Sequence, residues 1–495
     1  MRASSVILEE ERRALLSMLL LEDGIEMVQR RLISRRSDSL QAPLSFAQQR
    51  LWFLNEMEPG DAAYNDQIFL QISGPLRLAL LRESIAEIVR RHEILRTQFV
   101  SRNGIPTQLI RPPHAVPLEY FELRNLLYAQ RLIEARRLAT ECVKGPFDLS
   151  HDSLIRLRLM QVEDNEHYLI VAMHHIICDG GSKEIFAREL LGIYNALCIG
   201  AAIPLPELKI QYADYAEWQR QQREDEFRRQ LAYWKSTLAG TVHRLELPLD
   251  KPRPRMQTHG GAQCSHVLSA GLTQDLHTLA HAEDATLFMT LLAGFNALLH
   301  RYTAQDEILI GFPFGGRNMP ELESLIGLFA NTLVLRTEFH VGLNFRTLLQ
   351  RVRNAALDAF ANSDVPFDQL VRELQPVRDP SRHPLFQVFF SMAEPEPLAL
   401  SGGGLELRTL SLLDSSASKF DLTLYVQEAG GSIHCSAAYN TSLFEHASIK
   451  RMLEHFEALL IEAVSKPGRP IAKLLLRDGE TDALVGRFHH CDWTS

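Results

Sequence analysis

The chain has 495 residues, 46% hydrophobic and 23% charged, the balance of a globular enzyme with apolar volume for about two to four cores. A formal net charge of −9 excludes the basic surface that nucleic-acid binding needs. No apolar run reaches the ~18 residues of a membrane span, and six scattered cysteines without a CxxC pair or zinc spacing point to a reducing cytoplasm and no structural metal.

The N-terminus is not a signal peptide, because Glu9 to Arg13 are charged and precede only a short apolar stretch, 14–21. Glu9 and Arg13 stand four apart, so residues 1–40 are read as a helical extension ending in a polar stretch at 34–39. The basic cluster Arg30, Arg31, Arg35 and Arg36 is read as a solvated linker face in preference to a phosphate or partner site. A helix is predicted over Leu78–Arg91.

The apolar run from Tyr168 to Met173 is short and bounded by a turn, which favours a buried strand. It breaks into HHIICDG at 174–180, after which Ser182 is the expected N-cap of a helix carrying Ile185, Phe186, Leu190, Ile193, Tyr194 and Leu197. Two imidazoles and a carboxylate at a strand end are read as catalytic in preference to a satisfied core histidine pair above a turn. Cys178 invites a nucleophile reading, against which stands the habit of free cysteine to act as a small buried hydrophobe. There is no GxSxG elbow to support a covalent acyl-enzyme.

A long charged helix is predicted over 214–238, closed by Gly240, followed by a proline-rich connector at 247–255. Beyond it, an apolar stripe from Leu287 to Leu299 predicts a helix and Glu307 to Gly311 a strand. The loop Gly315-Gly316-Arg317-Asn318 lacks the lysine and spacing of a phosphate cradle. Strands and helices mix throughout, an α/β class, with expected segments 1–40 (extension), 41–220 and 221–475 (two lobes) and 476–495 (linker, with Leu484 and Trp493).

Seven ordered motifs resemble those of a condensation domain of the nonribosomal peptide synthetases. They are LSFAQQRLWFL at 44–54, RHEILRTQF at 91–99, the histidine motif, YADYAEWQ at 212–219, IGLFANT at 326–332, DVPFD at 364–368 and RDPSRHPLFQ at 378–387. The resemblance implies two chloramphenicol-acetyltransferase-like lobes in a V arrangement with a tunnel between them. It implies amide formation between a donor acyl or peptidyl thioester and the amine of an acceptor aminoacyl thioester. Substrates would arrive on the phosphopantetheine of carrier proteins (or as an acyl-coenzyme A donor), the chain itself binding no cofactor or metal. Partners would be carrier domains and an adjacent adenylation domain reached through the tail.

In this resemblance His175 faces the tunnel as general base. An α-amino group already titrates near 7.7–8.0, so orienting the amine is an equal role for it. His174 is expected to be structural. Asp179 either orients the imidazole or, as the resemblance favours, braces the loop against Arg96, with Arg156 as second choice; an unpaired buried carboxylate would be very costly. Gly180 permits close approach, with its amide toward the developing oxyanion. Asn331 is either a tunnel-lining donor or an internal strand-end residue, and Trp52 and Trp218 are packing residues.

Gly181 stands where many peptidyl-accepting members carry a bulky residue, which would leave volume beside the donor channel. With Met1 some forty residues before the fold, this points toward a starter domain that N-acylates the first amino acid, with an ordinary elongating domain as the other choice. The intact 326–332 and 378–387 motifs argue against an epimerisation domain, and the motif histidines against a heterocyclisation domain. The absence of DFGWG argues against a plant-type coenzyme A acyltransferase. A non-catalytic recruitment module is the alternative from another class.

Overall fold

The computed structural model describes residues 33–474 apart from 61, 222–223, 242–243, 378, 393–398 and 411–417. Most of the predicted extension, including Arg30 and Arg31, and the whole tail from 475, lie outside the described residues. Arg36 corrects the reading of the basic cluster. Its guanidinium is buried and bonds Asp214 at 2.7 Å and Glu93 at 2.6 Å, so this one arginine is an ion-paired anchor, while Arg35 beside it is exposed.

Two six-stranded sheets carry the fold. The first has the order Ala399–Gly402, Leu405–Thr409, Asn65–Ser73, Glu166–His174, Ile155–Glu163, Leu118–Glu122. The second runs Asn331–Glu338, Glu307–Phe314, Val388–Met392, Leu422–Ala429, Ser432–Asn440, Gly261–Leu268. Pairing is antiparallel except at Leu118–Glu122 and on both sides of Val388–Met392.

Glu166–His174 is interior to the first sheet and apolar on both faces, because successive side chains feed two different cores. Leu169, Val171 and Met173 meet Ile85 and Ile88 of Leu78–Arg91 and Phe186 and Leu190 of Gly180–Cys198. Tyr168, Ile170 and Ala172 meet Ala135, Leu138 and Cys142 of Tyr128–Lys144. In the second layer the helix Leu287–Thr303 is buried nearly all round as far as Leu299, where apolar residues occupy most of its faces.

The charged helix predicted over 214–238 is seen as Tyr212–Gln221 and Glu224–Thr237, residues 222–223 lying outside the described residues. The two ends of this stretch serve different cores, Tyr212 packing in the first and Trp234 in the second. The chain also returns. Met319, Leu322, Leu325, Ile326, Leu328 and Phe329 fill the first core, and Leu405–Thr409 extends the first sheet beside Asn65–Ser73.

Candidate active site

The strand Glu166–His174 ends in a single 3-10 turn, His175–Ile177, and the two histidines part company there. His174 is buried, and its Nδ1 accepts the Ile176 N–H at 3.1 Å, capping the turn. Burial, helped by neighbouring His175, pushes its pKa down to about 4, so it stays neutral and structural. His175 remains part-exposed. Burial pushes it below the ordinary histidine range; Asp66 opposes that, and Lys419 and Lys183 reinforce it. A neutral imidazole at neutral pH is the form that can accept a proton.

Asp179 is the N-cap of Gly180–Cys198, and Ser182 closes the capping box from the third helical position. The helix therefore starts before the predicted cap at Ser182, and the two glycines form its first turn. Asp179 does not meet Arg96. Its Oδ2 accepts Arg317 Nη1 at 2.8 Å and the Phe329 and Ala330 amides at 3.0 and 3.2 Å. Its Oδ1 accepts Arg317 Nη2 at 2.8 Å and Ser182 N and Oγ at 3.0 and 2.8 Å. With every lone pair spent on the brace, Asp179 has nothing left with which to orient an imidazole.

Arg96 instead donates to the Arg111 carbonyl at 2.5 Å beside Glu93, lining a cavity of about 360 Å³ with Arg111, His114 and His151 that includes none of the histidine-motif residues. Arg156 caps the Gly145 and Pro146 carbonyls over the Phe147 ring. Both are turned toward nearby backbone carbonyls, and Asp179 is held by Arg317 in their place.

Arg317 also corrects the reading of Gly181. A Cβ at Gly181 would come within 2.8 Å of Arg317 Nη1. The missing side chain makes room for the brace and does not open a channel. Gly180 differs: a Cβ there would meet nothing within 4 Å, and its amide is among the helix-start donors without an intrahelical acceptor.

Asn331 is no free donor. Its Nδ2 donates to the Ser363 and Val365 carbonyls at 2.9 and 2.8 Å, and its Oδ1 accepts the Thr332 and Phe367 amides. It ties the sixth motif to the fifth. Trp52 and Trp218 pack against the first core, as expected.

Sequence reasoning missed Asp66, Lys183 and Lys419. Asp66 lies at the start of Asn65–Ser73, one residue past the Asn65–His174 pair, and its carboxylate pairs with the Lys183 ammonium. Burial alone would raise the Asp66 carboxyl, but Lys183 and His175 outweigh it and hold it low. Burial would likewise depress Lys183, and Asp66 holds it above the usual lysine range. Lys419, over the Tyr64 ring, is lowered by burial despite Asp66. One signal was readable: Lys183 stands in the first helical turns, the positive end of the dipole, where a lysine is disfavoured without a specific partner.

Asp66, His175 and Cys178 bring one donor atom each within 4.8 Å of one another. The Lys183 ammonium already neutralises that carboxylate, and burial keeps the Cys178 thiol protonated far above its usual range, which opposes cation binding. The same burial removes Cys178 as a nucleophile.

The family described as Condensation domain matches residues 39–485. A linear gramicidin synthase of Brevibacillus parabrevis is 43% identical in one of its subunits over 453 residues, covering 91% of this chain and 9% of that relative. The chain thus spans less than a tenth of that relative's length. In solved structures, the X-domain in complex with OxyB from teicoplanin biosynthesis superposes with a TM-score of 0.80 at 25% identity, over 91% of this chain and 99% of that one. A mutant of the starter condensation domain of rhizomide synthetase, in complex with C8-CoA, gives a TM-score of 0.75 at 21% identity, over 88% and 98%. Among the described residues no helix is long and apolar enough to cross a membrane.

Proposed function

Because the chain belongs to the condensation domain family of the nonribosomal peptide synthetases, whose members form amide bonds, we propose that it joins a donor acyl or peptidyl thioester to the amine of an acceptor aminoacyl thioester, both presented on carrier proteins. The acceptor nitrogen attacks the donor carbonyl carbon, the C–S bond breaks, and the amine proton leaves through His175 to the departing thiolate. Phosphopantetheine belongs to the carriers and supplies the thioester.

The observation that carries this reading is a neutral, part-exposed His175 at the end of a strand buried on both faces. The brace Asp179–Arg317 fixes the turn beneath it, and the Gly180 amide, at the helix start without an intrahelical acceptor, is proposed to meet the developing oxyanion. His174 serves the turn, and Arg96 and Asn331 have no part in the chemistry proposed here. Gly181 lends the starter subtype no support, since Arg317 fills the space it was expected to open; donor class is left to the assay.

The test mixes this chain with a loaded donor carrier, acyl in one arm and peptidyl in the other, and a loaded acceptor carrier, reading the product by mass spectrometry. Product is expected in at least one arm, and His175→Ala is expected to lose ~10²–10⁴-fold in turnover with native circular dichroism. A recruitment module would give no product. A folded His175→Ala variant keeping more than about a third of the turnover would refute the role of His175.

A further inference from the structure

This inference rests on the reading just given, with His175 as the group that handles the amine. The Nδ1 of His175 is buried and finds no hydrogen-bond partner among the described residues, an arrangement strongly disfavoured for a ring nitrogen that carries a proton. Among those residues the carboxylate beside it is Asp66, whose Oδ2 lies 3.8 Å away, one small side-chain turn from hydrogen-bond distance. The backbones are fixed on both sides by strand register, with Asn65 opposite His174 and Asp66 opposite Met173. Asp66 Oδ1 accepts the Gln67 N–H at 2.8 Å and pairs with Lys183, which leaves Oδ2 toward the imidazole. Asp179 cannot take this part, being consumed by Arg317.

We propose that Asp66 is a positioning residue for His175: its carboxylate accepts the Nδ1–H and holds the imidazole in the tautomer whose Nε2 lone pair is free for the acceptor amine, while Lys183 restrains the carboxylate. As the C–N bond forms, one amine proton passes to Nε2; as the C–S bond breaks, it passes to the leaving thiolate, and Asp66 stays ionised throughout. A carboxylate at full strength would also favour a protonated imidazole, which is useless as an acceptor. Lys183, and Lys419 from the second layer, offset it.

The groups that bear on His175 are His174 and Cys178 on its own turn, Asp66 on the neighbouring strand, Asp179 and Lys183 at the helix start, and Lys419 opposite. Asp66 pulls the imidazole up and Lys183 pushes it down. The two substitutions are therefore expected to move it in opposite directions, which a purely structural role for either residue would not do.

The test uses the whole chain with ¹⁵N-labelled histidine side chains, without substrate, as wild type, Asp66→Asn and Lys183→Met. In the wild type His175 is expected as the Nδ1–H tautomer. In Asp66→Asn that tautomer gives way and the titration of His175 moves down by about half a pH unit or more; in Lys183→Met it moves up by a similar amount. With loaded carriers, Asp66→Asn should lower turnover at least about tenfold, with the acceptor KM within about threefold. An unmoved tautomer and titration in Asp66→Asn overturns the proposal, and so does a titration that moves the same way in both variants. Because the spectra need no turnover, a wild type without product would remove the amide-forming reading alone.

Discussion

His174 and His175 are neighbours in sequence with separate duties, and pH can tell them apart. His174 has a folded pKa of about 4 against an unfolded value near 6.5, so between those values the unfolded chain binds the proton and the native chain does not. Its contribution to stability is complete above about pH 6.5 and is lost progressively as pH falls toward 4, roughly 2 kcal/mol by pH 5 from this one group. Urea midpoints at pH 7 and pH 5 check it. His174→Asn should flatten that dependence, because an asparagine oxygen can still cap the Ile176 amide without a buried imidazole to charge. A variant as acid-sensitive as the wild type would place the effect elsewhere. The centre of the site was readable at this scale: a histidine pair before Asp-Gly declares a turn whatever surrounds it. The partners were not. Asp179 and Arg317 stand 138 residues apart, and nothing local distinguishes Arg317 from Arg96 or Arg156. Asp66 is one carboxylate at the polar start of a strand, and only register places it beside His175.

At the scale of elements, Gly180–Cys198 derives its fixed start from the capping box and from Arg317 lying across Gly181. Gly181→Trp should therefore fail for a reason unrelated to donor length. Its Cβ meets a guanidinium that two short bonds to Asp179 prevent from moving aside. Displacing one partner of a buried pair typically costs ~3–5 kcal/mol. The expected outcome is a lower melting temperature and the same proportional loss for short and long acyl donors. Donor competition with graded chain lengths, beside a melting curve, reads both. Selective exclusion of long donors with unchanged melting would instead restore the open channel. Periodicity located elements well where one core owns the whole segment, as in Leu78–Arg91 and Leu287–Thr303. At 214–238 it found helix on both sides of 222–223, but not that the two ends pack into different cores, a property of the packing that no window of sequence contains.

For the whole molecule, the two layers are joined by chain that crosses back, and the site depends on those crossings. One supplies Arg317 to Asp179; the other is a hairpin, Ala399–Gly402 and Leu405–Thr409, joined by Gly403 and Gly404. Both of those glycines have positive φ, as a two-residue turn of this hand requires. Nothing in 399–409 announces that it pairs with Asn65–Ser73. Leu405 and Leu407 are buried in the first core, so each truncation to Ala should cost ~2–5 kcal/mol, less than additively because they are neighbours. Asn65–Ser73 would then act as a poorly covered edge strand carrying Asp66 at its start. Leu405→Ala/Leu407→Ala should thus speed hydrogen exchange in Asn65–Ser73, leave Glu307–Phe314 of the second sheet protected, and lower turnover although neither leucine approaches His175. Exchange mass spectrometry on the whole chain, with turnover measured on the same preparation, tests the chain of cause. Uniformly faster exchange in both sheets would mean the layers unfold as one unit. Unchanged turnover with an opened Asn65–Ser73 would show that the site does not depend on that strand, and with it that Asp66 has no hold on His175.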